Sequence, residues 1–404
     1  MKNISVTILF LFLSALFITC VAQKNNTSFK NLNTTIAQNF NQADSQYRLM
    51  MKGVPDGRFP KTFEHDSLET SGPGWWCSGF YPGNLLYIFE ATKDSTLYYE
   101  ALRKLNDLQP EQFNKTTHDL GFMMYCSFGN AYKIDSNEQY KSILINSAKS
   151  LASRFNPVVG CIKSWDSKPG DFLVIIDNMM NLELLFWATR TTGDSSFYKI
   201  AVTHANTTMK NHFRPDYSSY HVVNYNPVTG AVQQKKTAQG AADSSAWARG
   251  QAWGLYGFTV MYRETKDKKY LDQANHIADF ILNNPHLPKD KIPYWDFDAP
   301  NIPHALRDAS AAAIISSALL ELSKYNKAKS ESYIKVATRI IRNLSSPEYK
   351  AAVGTNGGFV LKHSVGSLPG HSELDVPLTY ADYYFFEAMK RYKALEKNKT
   401  TDLK

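Results

Sequence analysis

The chain has 404 residues, 43% of them hydrophobic, and a formal net charge of +8. That composition excludes a disordered chain, and the length suits one large closed core or two domains. The charge excess does not indicate nucleic acid as a partner. Half of it lies between Lys390 and Lys404, where six cations face only Glu396 and Asp402, with no basic and aromatic motif beside them.

The chain opens MKNISVTILFLFLSALFITCVAQ, with one cation at Lys2, an apolar stretch from Val6 to Ile18 and then small residues. This is the layout of a secretory signal, so residues 1–22 are expected to be removed after Ala22 and the protein exported, with the periplasm as its destination. Lipoprotein anchoring through Cys20 is the lesser alternative, because the residues before it make a poor cleavage box. No later segment is apolar over the roughly 18 residues that a transmembrane helix requires. Residues 23–404 are therefore expected to form a single domain with a basic tail from about residue 390. Cys77, Cys126 and Cys161 are odd in number and widely spaced, and define neither a disulfide framework nor a zinc site.

Helical periodicity dominates the rest of the chain. Twelve helix candidates lie near residues 29–52, 79–92, 95–108, 119–134, 137–154, 177–191, 195–212, 245–265, 268–284, 305–325, 330–345 and 379–395. Strands are confined to short stretches such as His221 to Tyr225 and Gly358 to Leu361. Five of the turns between helices share a pattern in which an Asp or Ser cap precedes a tyrosine, namely Tyr98, Tyr140, Tyr198, Tyr270 and Tyr333. The caps and tyrosines are read as structural. The repeating unit is a helical hairpin, too long and irregular for a tetratricopeptide array.

The helix before each such turn is the more apolar or small, as in ASAAAIISSALL from Ala309 to Leu320, while the helix after it is amphipathic and bears lysines. Inner and outer helices alternating six times predict an all-α fold, an (α/α)6 barrel. Its inner helices point one way, so Asp119, Asp177, Trp253, Asp308 and Asp382 are expected to line a common mouth, where helix N-termini favour anions.

Asp119 in T-H-D-L-G-F and Asp177 in I-I-D-N-M-M each head a long apolar run. Partial desolvation there raises a carboxyl pKa and lets the group hold a proton, as a general acid must. Asp is also a favoured N-cap, so position alone does not separate chemistry from capping. Between Gln239 and Trp253 the chain concentrates an Arg, two Trp and two Gln among small residues. Arg249 offers a planar fork for a carboxylate, Trp253 a flat apolar face and Gln239 a hydroxyl or carboxylate reader. The structural alternative is a buried Arg paired with an Asp among core tryptophans. Trp76 in W-W-C-S-G-F-Y-P-G and Trp165 in S-W-D are candidate sugar platforms, whereas Trp295 is read as packing between loop-fixing Asp296 and Asp298. His118 is placed to orient Asp119 or touch substrate, and His221 precedes a short extended stretch with a candidate binding role.

H-D-L-G-F at 118–122, I-D-N-M-M-N-L at 176–182, the block from Thr237 to Phe258, R-D-A-S-A-A-A at 307–313 and Y-A-D-Y-Y-F-F-E-A at 380–388 occur in one order. Over residues 75–392 the chain resembles glycoside hydrolase family 88, the unsaturated glucuronyl hydrolases. The resemblance implies an (α/α)6 barrel that removes a 4,5-unsaturated uronic acid from the non-reducing end of oligosaccharides released by polysaccharide lyases. It implies Asp177 as general acid/base and Asp119 as its essential neighbour. His221, Gln239, Arg249, Trp253, Trp76 and Trp165 are then contacts to the unsaturated sugar. The implied chemistry is hydration of a vinyl ether, with no metal or organic cofactor, so the usual relation of carboxylate separation to stereochemistry does not apply. Two departures stand out. Cys77 sits where a small hydroxyl or acidic residue is expected, and Ser364 and Ser367 fall where some relatives contact a sulfate or the next sugar.

The expected partner is thus an anionic unsaturated oligosaccharide, a glycosaminoglycan or ulvan fragment, which a mildly basic body suits. Two alternatives remain at this level: an unsaturated rhamnogalacturonyl hydrolase acting on pectin fragments, and an exported sugar-binding protein without activity.

Overall fold

In a computed structural model the protein is described over residues 32–401, so the expected secretory segment with Ala22 and Cys20, and the last residues of the tail, lie outside the described residues. Helix α1 covers residues 32–50. It is followed by α2 (Phe80–Thr92) and α3 (Ser95–Leu108), then by a π-helix (Gly121–Gly129) that continues as α4 (Asn130–Ile134), and by α5 (Glu138–Ala152). A 3-10 turn (Ile176–Asn181) leads into α6 (Leu182–Thr192) and α7 (Ser195–Asn211), and the series ends with α8 (Ala248–Thr265), α9 (Lys268–Asn283), α10 (Ala309–Leu322), α11 (Ser330–Leu344) and α12 (Thr379–Thr401). Even-numbered helices touch in sequence, α2 to the π-helix and on through α6, α8, α10 and α12, which closes back on α2. Odd-numbered helices pack outside them. This is the (α/α)6 barrel that alternating composition predicts.

The physical cause is the breadth of each apolar face. Every residue of α10 is buried, and so are Ala248 to Met261 of α8, as helices enclosed on all sides require. In α11 burial is confined to Tyr333, Ala337, Ile340, Ile341 and Leu344, a single stripe. The hairpin turns repeat as expected. Asp94, Asn137, Asp194 and Asp267 cap α3, α5, α7 and α9 by accepting amide N–H bonds. The tyrosine that follows each cap packs on a phenylalanine of the preceding inner helix: Tyr98 on Phe89, Tyr140 on Phe128, Tyr198 on Phe186 and Tyr270 on Phe258, with ring centroids 4.7, 5.6, 5.6 and 6.2 Å apart. The fifth turn departs from this pattern. Lys329 gives α11 no side-chain cap, and the Tyr333 hydroxyl donates to Asn275 of α9 instead.

The π-helix lies tightly against α2. A Cβ at Gly79 would fall 2.1 Å from the Met123 carbonyl oxygen, and one at Gly83 2.5 Å from that of Cys126. Only glycine permits that approach. The Phe122 amide, at the start of the π-helix, donates to the Asn181 side chain at 3.0 Å, which joins the helix that follows Asp119 to the turn that carries Asp177.

Strand content exceeds the expectation. The segments before the inner helices form a hairpin of β1 (Phe59–Glu64) and β2 (Ser67–Ser71), a short pair of β3 (Phe155–Asn156) and β4 (Cys161–Ile162), a three-stranded antiparallel sheet of β5 (Phe172–Ile175), β6 (Val222–Tyr225) and β7 (Val232–Lys236), and a hairpin of β8 (Ser364–Ser367) and β9 (Ser372–Val376). Expected strand 221–225 is present as β6, but 358–361 is not a strand. The amides of Val360 and Leu361 donate to the buried Asp382 carboxylate at 2.9 and 2.8 Å, so the segment keeps only an isolated bridge, Leu361 with Lys350. Asp382 and Asp308 therefore do not line an open mouth. Both are fully buried, Asp382 also accepting the Tyr47 hydroxyl and Asp308 capping α10 through the Ser310 and Ala311 amides.

Gly79→Val, which forces a side chain into the π-helix backbone, is expected to destabilise the fold by about 3 kcal/mol in urea unfolding. Asp267→Ala, which removes one exposed cap, should lower the urea midpoint by less than Gly79→Val does in the same measurement.

Candidate active site

Strand β5 ends at Ile175, paired with Val222 of β6, and the next amide, Ile176, donates to the His221 carbonyl at 3.0 Å. That register sets Asp177 beside His221, with Asp177 Oδ2 3.7 Å from His221 Nε2. The His221 ring lies on Trp247, centroids 4.5 Å apart, and its Nδ1 accepts the amides of Ala238 and Gln239 at 3.1 and 3.2 Å. A nitrogen that accepts two N–H bonds carries no proton, so the ring proton resides on Nε2 and faces Asp177. Burial, reinforced by the Arg249 charge, pushes the His221 pKa down to about 3, and the ring is neutral at ordinary pH.

Asp177 is 9% exposed. Burial raises its pKa to about 7, with the Arg249 charge acting downward and the Asp119 charge upward. The Trp253 indole N–H also acts downward on it. Asp177 Oδ2, His221 Nε2 and Trp253 Nε1 are all buried and close no hydrogen bond among the described residues.

Asp119 is held from its own segment. The Thr117 hydroxyl donates to Asp119 Oδ2 at 2.7 Å and accepts the Asp119 amide at 3.1 Å, while His118 Nε2 lies 3.2 Å from Oδ1. His118 is buried, which lowers its pKa, and its amide donates to the Ser164 carbonyl at 3.1 Å. A bridge between Thr117 and Trp165 continues that pairing and sets Trp165 beside Asp119, half-buried on Leu173, Ile175 and Val222. Trp76 is half-buried nearby, with its ring 4.8 Å from Tyr380 and 5.5 Å from Phe122. Asp119, Asp177, His118, His221, Trp76 and Trp165 are thus gathered at the N-terminal ends of the inner helices.

Four candidates are placed otherwise than the sequence suggests. Arg249 is 1% exposed, and its fork is engaged: it donates to the carbonyls of Val365 and Gly366 and pairs with Asp308 at 3.3 Å, between the rings of Trp247 and Tyr380. It supplies a positive field rather than an open clamp. Trp253 is fully buried against Phe122 and Tyr384, so its face is no platform, and only the indole N–H addresses Asp177. Ser364 is fully buried in β8, whereas Ser367 is half-exposed in the β8–β9 turn, where its hydroxyl accepts the Gly370 amide at 3.2 Å and keeps its own O–H as a donor. Gln239 is half-buried and donates to the Gly366 carbonyl at 2.8 Å. Asp296 and Asp298 fix the loop as expected, taking the Ala241 amide and Ser245 hydroxyl and the Ala246 amide respectively. Cys77 is buried, and burial pushes its thiol pKa up.

Sequence patterns do not single out Trp247, Tyr380, Ser164 or Asn181, which support the site. Ser164 accepts the His118 amide with its carbonyl and the Ile175 amide with its hydroxyl, at 3.1 and 3.0 Å. Asn181, four residues past Asp177 in the same segment, offered the one visible hint. No group of three or more His, Cys, Asp or Glu side chains among the described residues is arranged to hold a metal ion.

A protonatable buried carboxyl, a second carboxylate and indole faces at the shared mouth of six parallel inner helices define a carbohydrate-cleaving (α/α)6 barrel. A profile of Glycosyl Hydrolase Family 88 matches residues 44–396. The chain is 50% identical over 323 residues to the unsaturated glucuronyl hydrolase of Formosa agariphila, covering 79% of this chain and 80% of that protein. The fold superposes with a TM-score of 0.88 on the crystal structure of an unsaturated glucuronyl hydrolase specific for heparin, at 49% identity and covering 90% of this chain and 98% of that one. It superposes with a TM-score of 0.78 on a mutant unsaturated glucuronyl hydrolase from Streptococcus agalactiae complexed with dGlcA-GalNAc6S, at 27% identity and covering 89% of this chain and 92% of that one. The chain belongs to glycoside hydrolase family 88, and it is an enzyme rather than a sugar-binding module without activity.

The raised pKa of Asp177 carries a stability consequence. Its folded value near 7 exceeds the ordinary 3.8, so the folded state binds the extra proton between those values and stability falls as pH rises through that window. Asp177→Asn is therefore expected to be more stable than the parent at pH 8, on the order of 2–4 kcal/mol, with the difference shrinking toward pH 5. Chemical denaturation at the two pH values measures it.

Proposed function

We propose that the site removes a 4,5-unsaturated uronic acid from the non-reducing end of an oligosaccharide by hydrating its vinyl ether. The observation that carries this reading is a buried Asp177 carboxyl whose pKa is raised to about 7, flanked by the Nε2–H of neutral His221 and by the charge of Asp119. Asp177 donates its proton to C4, and the C4–C5 double bond supplies the electron pair. The positive charge then resides at C5, shared with the ring oxygen. Water adds at C5 and returns a proton to the Asp177 carboxylate. The resulting hemiketal opens at the bond from C5 to the ring oxygen, and the hemiacetal left at C1 expels the second sugar with its own oxygen.

The surrounding residues fit these steps. His221 Nε2–H donates a hydrogen bond without adding charge, and Asp119 binds sugar hydroxyls while its charge favours the protonated form of Asp177. Trp76 and Trp165 present ring faces to the sugar. Arg249 acts through the wall, its field favouring the uronate carboxylate although its donors are engaged. The names of the relatives support an unsaturated glycosaminoglycan-type disaccharide as substrate class, of the kind that polysaccharide lyases release. With its secretory N-terminal pattern the enzyme would act on such products after export to the periplasm.

Incubation with unsaturated disaccharides should abolish their ultraviolet absorbance in step with release of the second sugar, while saturated counterparts show no turnover. Asp177→Asn is expected to lower kcat by about 10²- to 10⁴-fold without loss of helical content. Retained activity in that variant would sink the assignment. Because Asp177 must be protonated to act, kcat/KM for the wild type should fall as pH rises through about 7. A panel that includes unsaturated pectin disaccharides separates this activity from the rhamnogalacturonyl one.

A further inference from the structure

One cluster at the mouth takes no part in the chemistry above. Trp76 turns inward, but its neighbour Trp75 is 44% exposed and carries the Lys61 ammonium 5.3 Å from its ring centroid. Lys61 projects from β1, and its Nζ lies 3.1 Å from Glu373 Oε1 of β9. The Glu373 side chain is only 14% exposed and lies against Gly366, where a Cβ would meet its Oε2 at 2.2 Å. Gly366 is the residue whose carbonyl accepts both Gln239 and Arg249. Glu373 also holds a left-handed backbone, φ 57°, which a glutamate adopts rarely and only where its surroundings enforce it. The charges of Lys61 and Glu373 both reach Cys77, which follows Trp76. The wall that begins at Arg249 and Gln239 therefore continues through β8 and β9 to a cation held over an exposed indole.

We propose that Lys61 is a specificity-determining residue for the leaving sugar, its ammonium engaging an anionic substituent of that sugar. The chemical class is a sulfate ester, as carried by the second sugar of the dGlcA-GalNAc6S bound to the Streptococcus agalactiae relative. Trp75 supplies the apolar face beside it, and Glu373 sets the strength of the contact, since it both positions Lys61 and neutralises part of its charge. Of the other candidates for a sulfate contact, Ser364 is fully buried, while Ser367 stands half-exposed in the same β8–β9 hairpin that carries Glu373. This inference rests on the proposed hydration activity.

The test uses pairs of unsaturated disaccharides that differ only in a sulfate ester at one position of the leaving sugar. For at least one pair, Lys61→Met should raise KM for the sulfated member about tenfold and leave the unsulfated member within about twofold, with kcat unchanged for both. Glu373→Gln keeps an acceptor for Lys61 but removes the competing charge, so it should lower KM for the same sulfated substrate. The wild-type preference for that substrate should weaken as salt is added. Equal response of both members of every pair to Lys61→Met, or no response, overturns the role of Lys61 while leaving the activity intact. Turnover of neither member by the wild type overturns the activity and the role of Lys61 with it.

Discussion

Burial of the Asp177 carboxyl is the constraint around which the mouth of the barrel is arranged. Taking a carboxylate out of water is costly, and the group responds by holding its proton near neutrality. That response is useful only if the neighbours neither ionise it fully nor saturate it with hydrogen bonds. Arg249 meets both conditions. Its donors are spent on Val365, Gly366 and Asp308, so it contributes a field from within the wall and leaves the carboxyl oxygen open. His221 meets them differently. With its Nδ1 occupied by two amides it presents a donor to Asp177 without a charge.

The remainder of the fold delivers these groups to one place. The β5–β6 register joins Asp177 to His221, the Ser164 crossover joins Asp119 to Trp165, and Asn181 ties the π-helix after Asp119 to the turn that holds Asp177. Only the last of these devices involves a barrel helix. The ring provides a common mouth because its inner helices run parallel, and the small sheets between hairpins do the aiming. This division explains why strand content exceeds what an all-α reading expects: the strands are short, and they concentrate where side chains must be set to within a hydrogen bond.

Much of the architecture is legible along the chain because its causes are local. The caps at Asp94, Asn137, Asp194 and Asp267 and the tyrosines after them are visible within four residues of one another, and each does in the structure what its type implies. Asp119 and Asp177 are legible as carboxyls heading apolar runs, and Asp296 and Asp298 as loop anchors. Arg249, Trp253 and Ser364 are buried in the structure, and their residue types do not announce it. Their residue types promise contact with a ligand, but whether an atom is free depends on what packs against it from elsewhere in the chain.

The sequence by itself determined the alternation of buried and amphipathic helices, hence the closed ring and the shared mouth, and it placed two carboxyls there. These features arise from periodicity and capping, which act over a few residues. Only the tertiary structure decided how burial raises the Asp177 pKa, that His221 carries its proton on Nε2, that Arg249 is spent on a strand 116 residues away, and that Lys61 meets Glu373 over Trp75. Burial, tautomer and the partner of a charge are set by segments remote in sequence, and no local pattern encodes them.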